Sequence, residues 1–299
     1  AYGTEAAATG ERSMAFGAGS ISSNTSTTAM GTAAQATGIS ASAYGAGANS
    51  AGENSMSFGA ASTATSKNDL AFGTSAYTSG PNASVFGTLG QATNGDATAI
   101  GFQAQALGID STAVGKGAQA TKENAVALGS DAIASGLGST ALGDATTASG
   151  ANATALGIGA DASGIDAIAI GKTAKASGIY SISLGAESNA SGRSSTALGD
   201  RSIASANDTT ALGKGAEATD ISASAVGTRS LSAGRGALAV GTYTTASETA
   251  SSAIGACAVA TAESSVALGY SSISSGNQST ALGTRSSATG KDAIAIGFQ

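Results

Sequence analysis

The chain has 299 residues, 44 of them glycine, and a formal net charge of −6 from 13 basic and 19 acidic residues. This acidic balance argues against a nucleic-acid-binding protein, which would carry a basic stripe. Hydrophobic residues make up 41% of the chain and charged residues only 11%, and the apolar residues fall at fixed positions, which argues against a disordered low-complexity chain.

A glycine recurs at every fourteenth residue from Gly3 to Gly297, in 22 copies without an insertion or deletion. We call these the period glycines and number the residues after each of them as positions 1 to 13. A coiled coil could share this period, but each glycine inside a helix would cost about 1 kcal/mol. Fixed-period repetition is typical of solenoids, and the two short alternating segments per repeat predict an all-β parallel β-roll of about 21 coils. Because a solenoid grows in one dimension, we expect residues 1–299 to form a single domain.

The segment after each period glycine has an inner and an outer side. Positions 3 and 5 are nearly always Ala, Ser or Thr, as at Ala118 and Ala120, and 28 of the 32 charged residues lie at positions 1, 2 and 7 to 9. Because successive strand residues face opposite sides, we predict that positions 3 and 5 point inward and positions 4 and 6 outward. Position 6 is Ser or Thr in 18 of 21 copies, which predicts an outer row of hydroxyls. Position 7, often Gly, Asn or Asp, predicts a turn with positive φ.

The segment before each period glycine is apolar or small on both faces, as in strands that are buried on two sides. One face must line the interior of the roll, and the other needs cover from a second chain. Position 12 is usually Ala, as at Ala127, and position 13 is large and apolar, as at Leu128. We favour the large row inside, interdigitated with Ala118 and Ala120, and the Ala127 row at a subunit seam. The reverse arrangement is the alternative.

The first seven copies differ from the rest at position 13. Six of them carry an aromatic residue immediately before the period glycine, and from Ile100 onward this residue is Ile, Val or Leu. With the large row inside, these coils are expected to be thicker than the others. A modified binding tip is the alternative, and we favour thicker coils without a binding role. The aromatic residues are Tyr2, Phe16, Tyr44, Phe58, Phe72 and Phe86.

The residues needed for catalysis are scarce. The chain has no His and a single Cys, Cys257, which stands at a turn position without a base to activate it. Lys172 and Thr173 resemble the end of a phosphate-binding loop, but the spacing from Gly164 is wrong. Carboxylates are not paired at any fixed spacing, as acid-base or metal chemistry would require. We therefore predict no enzyme activity, no catalytic residues, no cofactor and no metal site.

Several copies of the repeat carry a family resemblance. Asn124–Ser130 reads Asn-Ala-Val-Ala-Leu-Gly-Ser, and Ser265–Gly269 and Asp292–Gly297 follow the same pattern. They resemble the Asn-Ser-Val-Ala-Ile-Gly-x-x-Ser coil motif of the YadA-type heads of trimeric autotransporter adhesins, although none of the 22 copies keeps the full motif. The resemblance extends over the entire chain. It implies a left-handed roll, three chains side by side, and display beyond the outer membrane of a Gram-negative cell.

The same resemblance implies a function. A cell-surface adhesin head would attach bacteria to extracellular matrix such as collagen, to abiotic surfaces, or to the same protein on other cells. We expect a distributed surface, so no ligand-binding residue is singled out. The alternative is a passive structural spacer or an ice-binding-type solenoid, suggested by the position 6 hydroxyls. No apolar run long enough for a transmembrane helix and no signal peptide are found in the sequence. We therefore expect a fragment without its signal peptide, neck, stalk and C-terminal membrane anchor.

Overall fold

The computed structural model describes residues 1–298, which form an all-β parallel solenoid of about 21 coils and no helix. This confirms the predicted fold class, and within the same range no helix could cross a membrane. The chain divides into two compact units, Ala1–Ala148 and a second unit that begins at Ser149. In both units each complete coil contributes one strand of three residues, at positions 11 to 13, and one of two residues, at positions 4 and 5.

The strands of the first unit alternate between these two lengths. The three-residue strands are β2 (Met14–Phe16), β4 (Thr28–Met30), β6 (Ser42–Tyr44), β8 (Met56–Phe58), β10 (Leu70–Phe72), β12 (Ser84–Phe86), β14 (Thr98–Ile100), β16 (Thr112–Val114), β18 (Val126–Leu128) and β20 (Thr140–Leu142). The two-residue strands are β1 (Ala7–Ala8), β3 (Ile21–Ser22), β5 (Gln35–Ala36), β7 (Asn49–Ser50), β9 (Thr63–Ala64), β11 (Tyr77–Thr78), β13 (Gln91–Ala92), β15 (Gln105–Ala106), β17 (Gln119–Ala120), β19 (Ile133–Ala134) and β21 (Thr147–Ala148).

The second unit has the same alternation. Its three-residue strands are β22 (Thr154–Leu156), β24 (Ile168–Ile170), β26 (Ile182–Leu184), β28 (Thr196–Leu198), β30 (Thr210–Leu212), β32 (Ser224–Val226), β34 (Leu238–Val240), β36 (Ser252–Ile254), β38 (Val266–Leu268), β40 (Thr280–Leu282) and β42 (Ile294–Ile296). Its two-residue strands are β23 (Asp161–Ala162), β25 (Lys175–Ala176), β27 (Asn189–Ala190), β29 (Ile203–Ala204), β31 (Glu217–Ala218), β33 (Leu231–Ser232), β35 (Thr245–Ala246), β37 (Val259–Ala260), β39 (Ile273–Ser274) and β41 (Ser287–Ala288).

Strands of equal length pair in parallel, always with the residue one repeat further on. Ala127 pairs with Ala141 in the three-residue strands, and Ala120 pairs with Ala134 in the two-residue strands. We call the two resulting layers of each unit the long-strand sheet and the short-strand sheet. The corners are hydrogen-bonded in the same register, since the amide of Asp131 donates to the carbonyl oxygen of Lys116 at 2.8 Å. Equivalent residues are therefore stacked along every edge of the roll.

The interior of the roll is a layer of small side chains. Positions 3, 5, 10 and 12 are buried in nearly every coil, and in the coil around Gly129 they are Ala132, Ala134, Ala125 and Ala127, each 0% exposed. Positions 3 and 5 therefore point inward and position 4 outward, as predicted. Several opposing interior residues that are both polar bond to each other, as Ser183 and Ser188 do at 2.7 Å.

The placement of the large row is the reverse of the arrangement favoured from the sequence. The Ala127 row lies inside the roll, and the Leu128 row lies on the outer surface of the long-strand sheet. The two sheets are joined by tight corners, so methyl and hydroxymethyl groups already fill the space between them. Val85 is the largest fully buried side chain. The aromatic residues of the first coils also lie outside, and the expectation that they thicken the interior is wrong.

The second corner also differs from its prediction. At this corner positive φ occurs at position 9, as at Asn124 (57°), and not at position 7. At the first corner it occurs at position 2, as at Asp131 (53°). Glycine is common at position 7 for another reason, since a Cβ on Gly178 would overlap the carbonyl oxygen of Gly192 in the next coil. Asn and Asp occupy many of the position 9 sites, and their short polar side chains tolerate this left-handed conformation.

Candidate functional site

The outer surface of the long-strand sheet carries a row of exposed large apolar side chains in each unit, which we call the apolar strip. The strip consists of the position 13 residues, and Phe58 and Leu282, for example, are 51% and 39% exposed. Val, Ile, Leu, Met, Thr and Ser at position 11 border it and are mostly half-buried. The prediction of an uncovered apolar face on this strand is confirmed, although the row that forms it is the other one. Apolar surface of this continuity is typical of an association site.

Aromatic rings are stacked along the strip near the start of the chain. The ring centroids of Phe58 and Phe72 are 5.3 Å apart, and those of Phe72 and Phe86 are 5.5 Å apart. Tyr44 continues the row at 5.7 Å from Phe58. These separations lie in the range in which offset aromatic pairs are favourable, so the rings form an ordered apolar surface.

The outer surface of the short-strand sheet is more polar than the apolar strip and lies on the opposite side of each coil from it. In the first unit it contains a row of amides, Gln91, Gln105 and Gln119, beside Gln103 and Asp131. In the second unit it forms a shallow groove with an apolar floor at Ile203 and Leu231. The face therefore offers hydrogen bonding in one unit and charge in the other.

Six charged residues in and beside this groove form a surface that we call the charged face: Asp161, Lys175, Glu187, Arg201, Glu217 and Arg229. Its members occupy positions 2 and 4 of successive coils and are exposed or half-buried. Arg201 lies 3.8 Å from Glu187 and 3.4 Å from Asp200. Arg229 donates a hydrogen bond of 3.2 Å to the hydroxyl of Tyr243 and lies 5.6 Å from its ring centroid.

A ladder of side-chain amides follows the second corner of the first unit. Asn54 donates to Asn68 at 3.3 Å, Asn68 to Asn82 at 2.9 Å, and Asn82 to Asp96 at 3.0 Å. All four residues occupy position 9 and have positive φ. The ladder uses the side-chain groups of this corner for bonds between coils, and we therefore assign it a structural role.

One carboxyl group lies inside the roll. Asp69 occupies position 10, where it is 1% exposed and precedes strand β10 instead of belonging to it. Burial raises the pKa of Asp69, and hydrogen bonds from the backbone amides of Ser66 (2.8 Å) and Ala83 (3.2 Å) oppose this rise. Its burial follows from the inward direction of position 10.

The groups considered for chemistry lie on the surface at the corners. Cys257 is exposed, with a φ of 57° at position 2. Lys172 and Thr173 lie at positions 1 and 2 after Gly171, and both are exposed. Among residues 1–298 no three His, Cys, Asp or Glu side chains are close enough together to hold a metal ion.

Comparison with known proteins identifies the repeat. The model of the YadA head domain repeat matches residues 1–20, 50–76, 64–89, 92–118, 106–132, 134–160, 162–188, 190–216, 204–230, 232–257, 246–272 and 274–299. The chain belongs to the YadA head family. A search of curated proteins finds no match.

Among solved structures, this YadA head is similar to the collagen-binding domain of the Yersinia adhesin YadA. The two are 30% identical over 47% of this chain and 70% of the other, with a TM-score of 0.35. The matches of the family model confirm the resemblance seen in the sequence and indicate an adhesin-type function.

Proposed function

We propose that residues 1–299 form a single YadA-type adhesin head, a non-catalytic left-handed β-roll displayed beyond the outer membrane of a Gram-negative cell. The observation that carries this proposal is the family match, which recurs from residue 1 to residue 299. An adhesin head needs a stiff scaffold with a wide exposed surface. The roll fits this need, since its small interior side chains are enclosed and the outer residue of the short strand differs from coil to coil.

We also propose that three copies associate side by side through the apolar strip. In a single chain the strip leaves Phe16, Phe58 and Leu198 between 39% and 51% exposed. Covering such side chains gains about 25 cal/mol for each Å² of apolar surface removed from water. Because equivalent residues stack in register, each coil can repeat the same contact, and the gain increases with the number of coils.

The ligand is proposed to bind over many coils at once. The candidates are extracellular matrix such as collagen, abiotic surfaces, and the same protein on other cells. The similar Yersinia domain is named as collagen-binding, which supports the first candidate. The polar short-strand sheet faces away from the strip, so it stays accessible when the strip is covered. Many weak contacts, multiplied over chains and cells, give strong attachment.

The test is solid-phase binding of the purified chain to collagen, fibronectin, plastic and itself. We expect saturable binding to at least one of them, with single changes such as Ser177→Ala altering binding by no more than about twofold. A single surface substitution that abolishes binding while the oligomer stays intact would contradict a distributed surface. Failure to bind any of the four would contradict the adhesin proposal. Thermal hysteresis measured on the same sample would favour the ice-binding alternative.

A further inference from the structure

The charged face of the second unit has an inverted order of charges along the coils. Counting outward from the midpoint between the coils of Gly185 and Gly199, Glu187 on one side matches Arg201 on the other. The first pair is at position 2. One coil further out, Lys175 matches Glu217, and both of these residues are at position 4. At the outer limit Asp161 matches Arg229, which lies in the adjacent row. Every positive group of the charged face therefore has a negative counterpart at the same distance from the midpoint.

This inversion has a geometric meaning for two copies placed face to face. A two-fold axis along the strand direction, through the midpoint, reverses the coil order and keeps each position opposite the same position. Glu187 then faces Arg201 of the second copy, and Lys175 faces Glu217. Each contact occurs twice because a two-fold interface is self-complementary. Arg229 faces Gly159, which has no side chain, and so has room to reach Asp161.

The charged residues at position 1 of these coils fit the same arrangement. Lys172 faces Lys214 of the second copy at the corner, which alone would be repulsive. Within one chain, Oδ2 of Asp200 lies 3.7 Å from Nζ of Lys214. In the paired arrangement, Asp200 of one copy lies one coil away from Lys172 of the other copy. The carboxylate therefore compensates both ammonium groups. Near the centre, Ile203 faces Asn189, which places no charge against another of the same sign.

We propose that the charged face binds the charged face of a second copy in the opposite orientation, and so joins heads carried by neighbouring cells. This proposal rests on the proposed display of the head at the cell surface and names one partner for it. Six coils spaced by ~4.7 Å make the charged face about 24 Å long. A patch of this length buries less surface area than a stable dimer interface requires. Each contact is therefore weak and sensitive to salt, and its effect depends on many copies acting together.

The test uses beads that carry the full chain, with agglutination measured by turbidity. Arg201→Glu places a second carboxylate against Glu187 of the second copy, and Glu187→Arg places two guanidinium groups together. Like charges in such positions oppose association, so each variant is expected to need about tenfold more protein per bead than the wild type. A mixture of the two kinds of bead is expected to agglutinate as the wild type does, because each variant complements the other.

The controls separate this contact from a general charge effect. Arg285→Glu makes the same change at position 2 outside the charged face, and we expect no loss of agglutination. The ion pair between Arg201 and Glu187 is exposed, so both variants should keep the thermal stability of the wild type. Wild-type agglutination should also decline as salt is raised from about 0.05 M to about 0.5 M.

Three outcomes would overturn the inference. Wild-type beads could fail to agglutinate at low salt, the variants could agglutinate as well as the wild type, or the mixture could be no better than either variant alone. The adhesin proposal has a separate test, since binding of the same variants to collagen, fibronectin and plastic does not involve a second head. A chain that binds one of these surfaces but lacks the mixing effect would refute only the self-pairing.

Discussion

At the scale of single residues, the interior of the roll allows very little change in volume. Val85 replaces the usual Ala at position 12, and the residue opposite it, Gly90, replaces the usual Ala at position 3. A Cβ added to Gly90 would lie 2.6 Å from Cγ1 of Val85. The larger residue therefore occupies the space that the smaller one leaves, and the two positions are coupled.

We expect this coupling to appear in a double-mutant cycle. Gly90→Ala should reduce the free energy of unfolding by about 2 kcal/mol through overpacking, and Val85→Ala by about 1 to 2 kcal/mol through the space it leaves. The double variant restores the usual pair and should be about as stable as the wild type. Urea unfolding of the four proteins measures the interaction energy. Additive losses would show that the two side chains do not share one space.

A second prediction concerns the buried carboxyl of Asp69. Because burial raises its pKa above the ordinary value of 3.8, the folded chain holds the proton more tightly than the unfolded chain. The free energy of unfolding should therefore fall as the pH rises from about 4 through the raised pKa, and then level off. Asp69→Ser should remove this dependence and stabilise the protein by about 1 kcal/mol at pH 7. A serine is accommodated at this position in another coil, where the hydroxyl of Ser55 donates to the carbonyl oxygen of Gly52 at 2.8 Å.

Unfolding in urea at pH 4 and pH 7 tests this prediction. Asp110→Ser, a change at an exposed corner, controls for the loss of one negative charge. Equal pH dependence in the wild type and in Asp69→Ser would contradict the assignment.

At the scale of the coil, the period glycine has a different role from the glycines at positions 2 and 9. Gly171 has a φ of 131°, and a Cβ there would lie 2.5 Å from the carbonyl oxygen of Gly185 in the next coil. Gly236 has a φ of 62°, and a Cβ there would meet nothing within 4 Å. Alanine already occupies the conformation of Gly236 elsewhere, as at Ala250 with a φ of 55°. Only the period glycine is required by both conformation and close approach.

This difference predicts unequal costs for the same substitution. Gly171→Ala should reduce the free energy of unfolding by about 3 kcal/mol, because strain and a backbone clash add together. Gly236→Ala should cost about 1 kcal/mol, which is the usual penalty for an L-residue in this conformation. Thermal unfolding of the two variants compares them directly. Equal losses would show that the period glycine is not set by the next coil.

The sequence reveals most of the coil but not which side of the long strand faces inward. The exact repeat fixed the parallel register, and the charges at the corners identified positions 3 and 5 as inward. On the long strand, Ala127 and Leu128 are both apolar and uncharged, so the sequence does not indicate which face is exposed to solvent. The choice depends on the distance between the sheets, which is set by the backbone of the corners. For the same reason the pattern could not show that Asn124, and not the residue at position 7, has positive φ.

At the scale of the whole molecule, one face of each coil is suited to contacts within the proposed trimer and the opposite face to partners outside it. The strip is apolar and periodic, whereas the short-strand sheet changes from amides in the first unit to charges in the second. The sequence predicted an uncovered apolar face from the absence of charge. It did not reveal the charged face, because the matched residues lie 14 to 68 positions apart and their order is inverted rather than repeated.

The proposed trimer depends on the strip and should be broken by charge placed there. Leu198→Glu combined with Leu212→Glu adds two carboxylates to adjacent strands, and burying them at a seam would be unfavourable. We expect sedimentation to show mainly single chains of 27.9 kDa in place of the trimer. Val259→Glu combined with Ile273→Glu makes the same change on the short-strand sheet and should leave the trimer intact. A trimer that survives the strip variant would place the seam elsewhere.

The uniform interior has a consequence for the gene. Because Ala127 and Ala141 occupy equivalent positions in successive coils, recombination between two repeats can remove or duplicate one coil, and the flanking strands can pair again in the same parallel register. Head length can then vary between strains while the fold stays the same. A coupled pair close together in the chain, such as Val85 and Gly90, moves as a unit in such an exchange. An inverted set that extends over several repeats, such as the charged face, would be disrupted by it.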